Sequence, residues 1–231
     1  MKIHFEQEVA NLNRLVATQA TAVEEAVRRA LLSITTGSAE LALFVIEGDD
    51  TLDTNEIRIE EECLKVLALY QPVASDLRYV ITLLKVNAEL ERIGDLAVNI
   101  AERAMHLLEN NGRTDYMDFT QMFQVVSQSL KKSLDSLVCR DSRLADEVIQ
   151  NDDVIDGLHR QNLTLAKQML RERPSKEKDT PVFVDAILDF VTISRNLERI
   201  GDGCTNIGED IIYLEQGRIV RHYRPLEQKE T

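Results

Sequence analysis

Two stretches of the sequence place carboxylates where they could hold a cation. Residues 90 to 102 and 197 to 209 share Leu-Glu-Arg-Ile-Gly-Asp at their start and Asn-Ile-x-Glu at their end. Nine of the thirteen paired positions are identical at an offset of 107. On a helix turning 100° per residue, Glu91, Asp95, Asn99 and Glu102 fall within about 80° of one another, and Glu198, Asp202, Asn206 and Glu209 repeat the arrangement. Oxygen donors one turn apart chelate or bridge metal ions, and carboxylate-rich sets suit iron, manganese, magnesium or, with a histidine added, zinc. The plain alternative is a solvated acidic helix face. Against it, Glu91 with Asp95 and Glu198 with Asp202 are like charges at i and i+4, an unfavourable pair kept in both copies. Glycines at 201, 203 and 208 also sit in the second copy, so helix propensity did not choose that segment.

A further set of candidate ligands lies upstream. Asp49 and Asp53, with Glu56 and Glu60, share a stripe, and the corresponding residues 103 positions later include Asp152, Asp156 and His159. If the segments carrying these stripes are neighbours, each half of the chain offers carboxylates from two helices to one patch.

The elements that must position these residues are helical. Ala, Leu, Glu, Arg and Val are abundant, with nine Gly, four Pro and no Trp in 231 residues. Apolar residues at three-four spacing predict helices over about 5–36, 39–69, 75–109, 115–140, 141–173 and 182–216. Gly37-Ser38 reads as a stop followed by an N-cap, Gln71-Pro72 as a second stop, and Ser75-Asp76 as the cap of the third helix. The offset between halves changes from 103 to 107 only in the polar, Pro-bounded stretch 173–181. The expected architecture is all-α: a tandem duplication of a three-helix bundle, six long antiparallel helices in all. Its units are 1–112 and 113–217, with 218–231 as a C-terminal tail. Val86, Leu90, Ile93, Ala97 and Ile100 define the core face of the third helix, so the acidic stripe is expected to point outward. Val80 and Leu84 fall on the stripe's side and suggest an apolar patch for self-association.

Composition excludes several classes. A net charge of −13 argues against a nucleic-acid binder. No apolar run approaches the ~20 residues of a membrane span, and Met1 to Ala10 has no signal-peptide core, which points to the cytoplasm. Cys63, Cys139 and Cys204 are three and widely separated, predicting buried free thiols rather than disulfides or a zinc ribbon. A metal-dependent phosphoester hydrolase would use such carboxylates, yet no Gly-rich phosphate loop or activated nucleophile is evident. A di-iron oxidase would want Glu-x-x-His on two helices, which only Asp156-x-x-His159 approaches. A metal-free scaffold that presents the stripes directly to a partner is the structural alternative.

With the doubled Glu-Arg-Ile-Gly-Asp, the Ala74-Ser75-Asp76-Leu77-Arg78 opening of the third helix and the two three-helix units, the chain resembles the PhoU family over nearly its whole length. The resemblance implies a cytoplasmic, non-enzymatic negative regulator of the bacterial phosphate regulon. Such a protein connects the ATP-binding subunit of the phosphate ABC transporter to the phosphate-sensing histidine kinase and reaches the membrane only through these partners. A homodimer is expected, and the resemblance also implies metal binding through the paired motifs, here Glu91 with Asp95 and Glu198 with Asp202. Asn99, Glu102, Asn206 and Glu209 are extensions of these pairs.

Overall fold

The computed structural model describes residues 2–110, 117–172 and 180–220. These form six helices: α1 (Lys2–Thr36), α2 (Ala39–Tyr70), α3 (Ala74–Glu109), α4 (Thr120–Cys139), α5 (Ser142–Arg171) and α6 (Thr180–Gln216). The breaks between them are local chemistry. Gly37 takes φ 64°, a left-handed conformation that suits glycine, and ends α1. Ser38 then caps α2, its Oγ accepting from the Leu41 N–H at 3.4 Å. Asp141 caps α5 in the same way, accepting from Arg143 N–H at 2.9 Å. Two expected boundaries move. α3 is entered from Val73, in extended backbone without a side-chain cap, so Ser75 and Asp76 lie within its first turn. α4 has 20 residues where α1 has 35, and it starts at 120 rather than 115. The insertion stretch 173–179 and the tail beyond 220 fall outside the described residues.

Helices α1, α2 and α3 pack on one another, as do α4, α5 and α6. The two bundles meet chiefly along α3 and α6, with a smaller contact between α1 and α4. α3 and α6 run antiparallel across this seam. Lys85 Nζ reaches Asp210 Oδ1 at 2.8 Å, Asn206 Nδ2 donates to Glu89 Oε1 at 3.2 Å, and His106 Nδ1 lies 2.6 Å from Asp189 Oδ2. Asp189 and Asp210 are both buried, so each carboxylate is charge-paired where water is scarce. Packing accounts for a correction: Val80 is fully buried and Leu84 is half-buried against the core, so the apolar patch expected there is covered within the chain. A helix wheel shows the direction of an apolar stripe and not what packs on it.

The cysteines divide. Cys63 and Cys204 are buried, and burial pushes both thiols up to about 12. Cys139, expected inside, is exposed at the end of α4. Among the described residues no helix is long and apolar enough to cross a membrane.

The repeated glycine of the doubled motif has a packing reason. A Cβ at Gly94 would stand 3.0 Å from Leu52 Cδ1 of α2, and one at Gly201 would stand 2.8 Å from Ile155 Cδ1 of α5 and 3.2 Å from its Cγ2. Leu52 and Ile155 occupy equivalent positions of the two halves, so the same close approach of the third helix to the second is built twice. Gly203 brings α6 against Ile93 of α3, where a Cβ would find Cγ1 at 3.0 Å.

Gly201, Gly94 and Gly48 offer a graded test by urea unfolding. Gly201→Ala should destabilise by about 1 kcal/mol, since overpacking against the stiff β-branched Ile155 outweighs the gain in helix propensity. Gly94→Ala should stay within about 0.5 kcal/mol of wild type, because the far end of Leu52 can rotate away. Gly48→Ala, which faces open space, should stabilise by about 0.5–1 kcal/mol. A Gly201→Ala protein as stable as wild type would contradict the close-approach account.

Candidate functional site

The close approach at Gly94 sets α2 against the acidic side of α3. Asp49 and Asp53 of α2 and Asp95 of α3 each place a carboxylate oxygen within 4.8 Å of the other two, and among the described residues no other three acidic, histidine or cysteine side chains do so. Asp49 is half-buried, Asp53 and Asp95 exposed. Glu91 and Glu56, both half-buried, extend the cluster. Burial raises the Glu91 carboxyl above its ordinary range, and Asp95, Glu56, Asp53 and Asp49 add to the rise. Asp49 is raised by burial and then by Asp53 and Asp95, and Asp95 by burial and then by Asp53. The stripe therefore lies along the α2–α3 boundary rather than pointing wholly outward, because α2 covers one flank of it.

The extensions fare differently. Glu102 is exposed, with Arg103 3.8 Å away, although its charge still reaches Asp49. Asn99 is exposed and donates its amide to the Asp95 carbonyl oxygen at 2.9 Å, so its nitrogen serves the helix.

The second half builds the same boundary from α5 and α6. Glu198, Asp202, Asp152 and Asp156 are all half-buried. Burial pushes the Asp152 carboxyl from 3.8 up to about 6, helped by Asp202 and Asp156. Glu198 and Asp202 are raised by burial and by acidic neighbours, but guanidinium groups pull them back: Arg195 and Arg199 act on Glu198, Arg92 and Arg199 on Asp202. Arg160 lies 3.8 Å from Asp156. His159 turns its Nδ1 to the buried Ser194 Oγ at 2.9 Å, and burial lowers its pKa against the pull of Asp156. Asn206 faces the seam, bonded to Glu89 of α3, and Glu209 is half-buried.

Chemically, the first cluster is a set of hard oxygen donors from two helices, each raising its neighbours' affinity for a proton. A di- or trivalent cation would relieve that repulsion, and carboxylate oxygens are the donors that magnesium, manganese and iron accept. The second cluster has the same frame with basic groups beside it. Glu56 is the contributor undervalued by reading the motif alone. Its place on the Asp49–Asp53 stripe is the signal that identifies it.

Comparison with known proteins follows the duplication. The PhoU domain family matches residues 16–104 and again 119–211. The chain is 35% identical over 224 residues to the phosphate-specific transport system accessory protein PhoU homolog of Aquifex aeolicus, covering 97% of this chain and 98% of that one. It is 32% identical over 222 residues to the phosphate-specific transport system accessory protein PhoU of Escherichia coli K12, covering 94% and 88%. The crystal structure of PhoU from Pseudomonas aeruginosa superposes with a TM-score of 0.86 at 32% identity, over 93% of this chain and all of that one. That of the phosphate transport system regulatory protein PhoU from Streptococcus pneumoniae gives 0.81 at 28% identity, over 94% and 99%.

Electrostatics of the second cluster give a pH signature in metal-free protein. The folded chain holds the Asp152 proton more tightly than the unfolded chain, so this group's contribution is best below pH 4 and is lost as pH rises through about 6. Asp152→Asn should abolish that loss. Its stability relative to wild type, measured by urea unfolding in chelator, should increase between pH 4 and 7. A difference that is flat or falls with pH would show that Asp152 is not held in its proton-bound form by the cluster.

Proposed function

The chain belongs to the PhoU family, and from that premise we propose that it is a regulatory accessory protein of phosphate uptake, acting without catalysis of its own. Its role is that of a negative regulator of the phosphate regulon. It works in the cytoplasm as an adaptor between the ATP-binding subunit of the phosphate transporter and the phosphate-sensing histidine kinase. The observation that carries this reading is that the family match spans both bundles, each with a carboxylate cluster at the same boundary. A homodimer would use a surface other than Val80 and Leu84, since both are packed within the chain.

The clusters are proposed as cation centres. In the first, Asp49, Asp53 and Asp95 would hold the ion, with Glu91 beside them. In the second, Asp152, Asp156, Glu198 and Asp202 would do so, with His159 adjacent. The donor set fits: three carboxylate oxygens from two helices already converge to within 4.8 Å without an ion. A bound cation would supply positive charge that ties the second helix of each bundle to the third. The protein's own contribution is to keep the oxygens together against their repulsion, through the glycine contacts at Gly94 and Gly201. This makes the helix pairs α2–α3 and α5–α6 the elements a cation would stiffen.

A deletion strain carrying either the wild-type gene or a Glu91/Asp95/Glu198/Asp202→Ala variant tests both parts. Deletion should raise phosphate-regulon expression in phosphate-rich medium, and the wild type should restore repression. Unchanged expression on deletion would sink the regulatory reading. Elemental analysis of protein purified without chelator should find transition metal in the wild type and at most residual metal in the variant; equal content would remove these residues as ligands. Metal-loaded wild type that hydrolyses phosphomonoesters in a substrate screen would favour an enzyme instead.

A further inference from the structure

The duplication supplies an internal control, because every residue around the first acidic cluster has a counterpart around the second. The donors match at Asp49 and Asp152, Asp53 and Asp156, Glu91 and Glu198, and Asp95 and Asp202. At three positions beside them the halves diverge toward less negative charge in the second. Glu56 becomes His159, Ile57 becomes Arg160, and Ala88 becomes Arg195. Five carboxylates thus stand against four carboxylates, a histidine and two guanidiniums.

The geometry follows the charges. In the first half three carboxylate oxygens converge, and among the described residues no second set does. In the second half Arg160 approaches Asp156 at 3.8 Å, from the position where Ile57 leaves Asp53 without such a neighbour on its own helix. His159 is held by Ser194 at 2.9 Å, where Glu56 adds negative charge to the first cluster. Arg92 adds a cross-seam influence. Its helix abuts α6 at Gly203, next to Asp202, and its charge favours the ionised form of that carboxylate. Coulomb attraction for a cation scales with the net charge of its surroundings, so centres with the same donors and different neighbours cannot hold it equally.

We infer that the two halves have become a tight and a weak cation centre, with His159, Arg160 and Arg195 as the residues that weaken the second. This rests on the proposed cation-binding reading. It goes beyond it by assigning the order of filling and the residues that set it. The first centre fills at low cation concentration. The second fills over a higher range, with its guanidiniums acting as resident counter-charges that an arriving cation must work against.

Manganese(II) binding to metal-free full-length protein, followed by the loss of the free-ion electron paramagnetic resonance signal, tests the inference. Wild type should show two classes of sites at least about tenfold apart. His159→Glu/Arg160→Ile/Arg195→Ala, which restores the first half's residues, should tighten the weak class toward the strong one while leaving the strong class in place. Arg160 and Arg195 are exposed, and the single Arg195→Ala variant should move the weak class part of the way, which guards against a folding defect in the triple variant. Asp53→Asn/Asp95→Asn should remove the strong class and keep the weak one. Two equal classes in wild type, or a weak class unmoved by the triple and single variants, would overturn the inference while leaving cation binding intact. No bound manganese in any protein would overturn the underlying reading as well.

Discussion

Like charges packed against a helix boundary are the constraint on which this molecule depends. Asp49, Asp53, Glu56, Glu91 and Asp95 repel one another, and burial raises the cost of ionising several of them. They stay together because the apolar contacts beneath leave no other register. Gly94 lets Leu52 reach the α3 backbone, and Gly201 does the same for Ile155. A larger side chain at Gly201 would push against the stiff Ile155 and move the acids of α5 and α6 apart, whereas at Gly94 the end of Leu52 can give way. The Ile-Gly-Asp core of the motif is therefore a unit: the isoleucine fills the core, the glycine sets the distance, and the aspartate is placed by both.

Much of this was legible in the sequence. Six helices, their duplication and their order follow from apolar spacing, Gly37-Ser38 and the shared motif, and the boundaries hold to within a few residues except at the start of α4. The pairing of the Asp49 stripe with the Glu91 stripe could be anticipated from two wheels. Whether α2 would cover one flank of that stripe could not, because a wheel carries no information about the neighbour's distance. The same blindness produced the misreading of Val80 and Leu84. α3 is buried toward α1, α2 and α6 together, and a pattern with apolar residues over most of its circumference looks like a core face plus a spare patch until its second partner is known. Asn206 escaped for a related reason: its position is shared with Asn99, yet Glu89 across the seam draws its amide away from the acids.

The two bundles are held to one another by more than apolar packing. Lys85 with Asp210 and Asp189 with His106 and Arg103 fasten the seam toward its two ends, and Gly203 against Ile93 tightens its middle. The acidic clusters flank this middle. Displacement of either motif helix would be felt directly by the other, since they are in van der Waals contact where the motifs lie. That makes the two halves a single mechanical body rather than two modules on a tether.

The seam also records what fusion of two like units permits. Across a true two-fold axis, a residue facing a given position must also be faced by that position's copy, so both contacts carry the same chemistry. Here the counterpart of Asp210 is Arg103, at the offset of 107, and the counterpart of Asp189 is Thr82. A symmetric pair built from the first unit would set Lys85 against Arg103, cation against cation. Joined in one chain, the two sides need not match, and each can take the charge that suits its own partner. The asymmetry that locks α3 to α6 is thus available to a covalent pair and closed to a homodimer of identical halves.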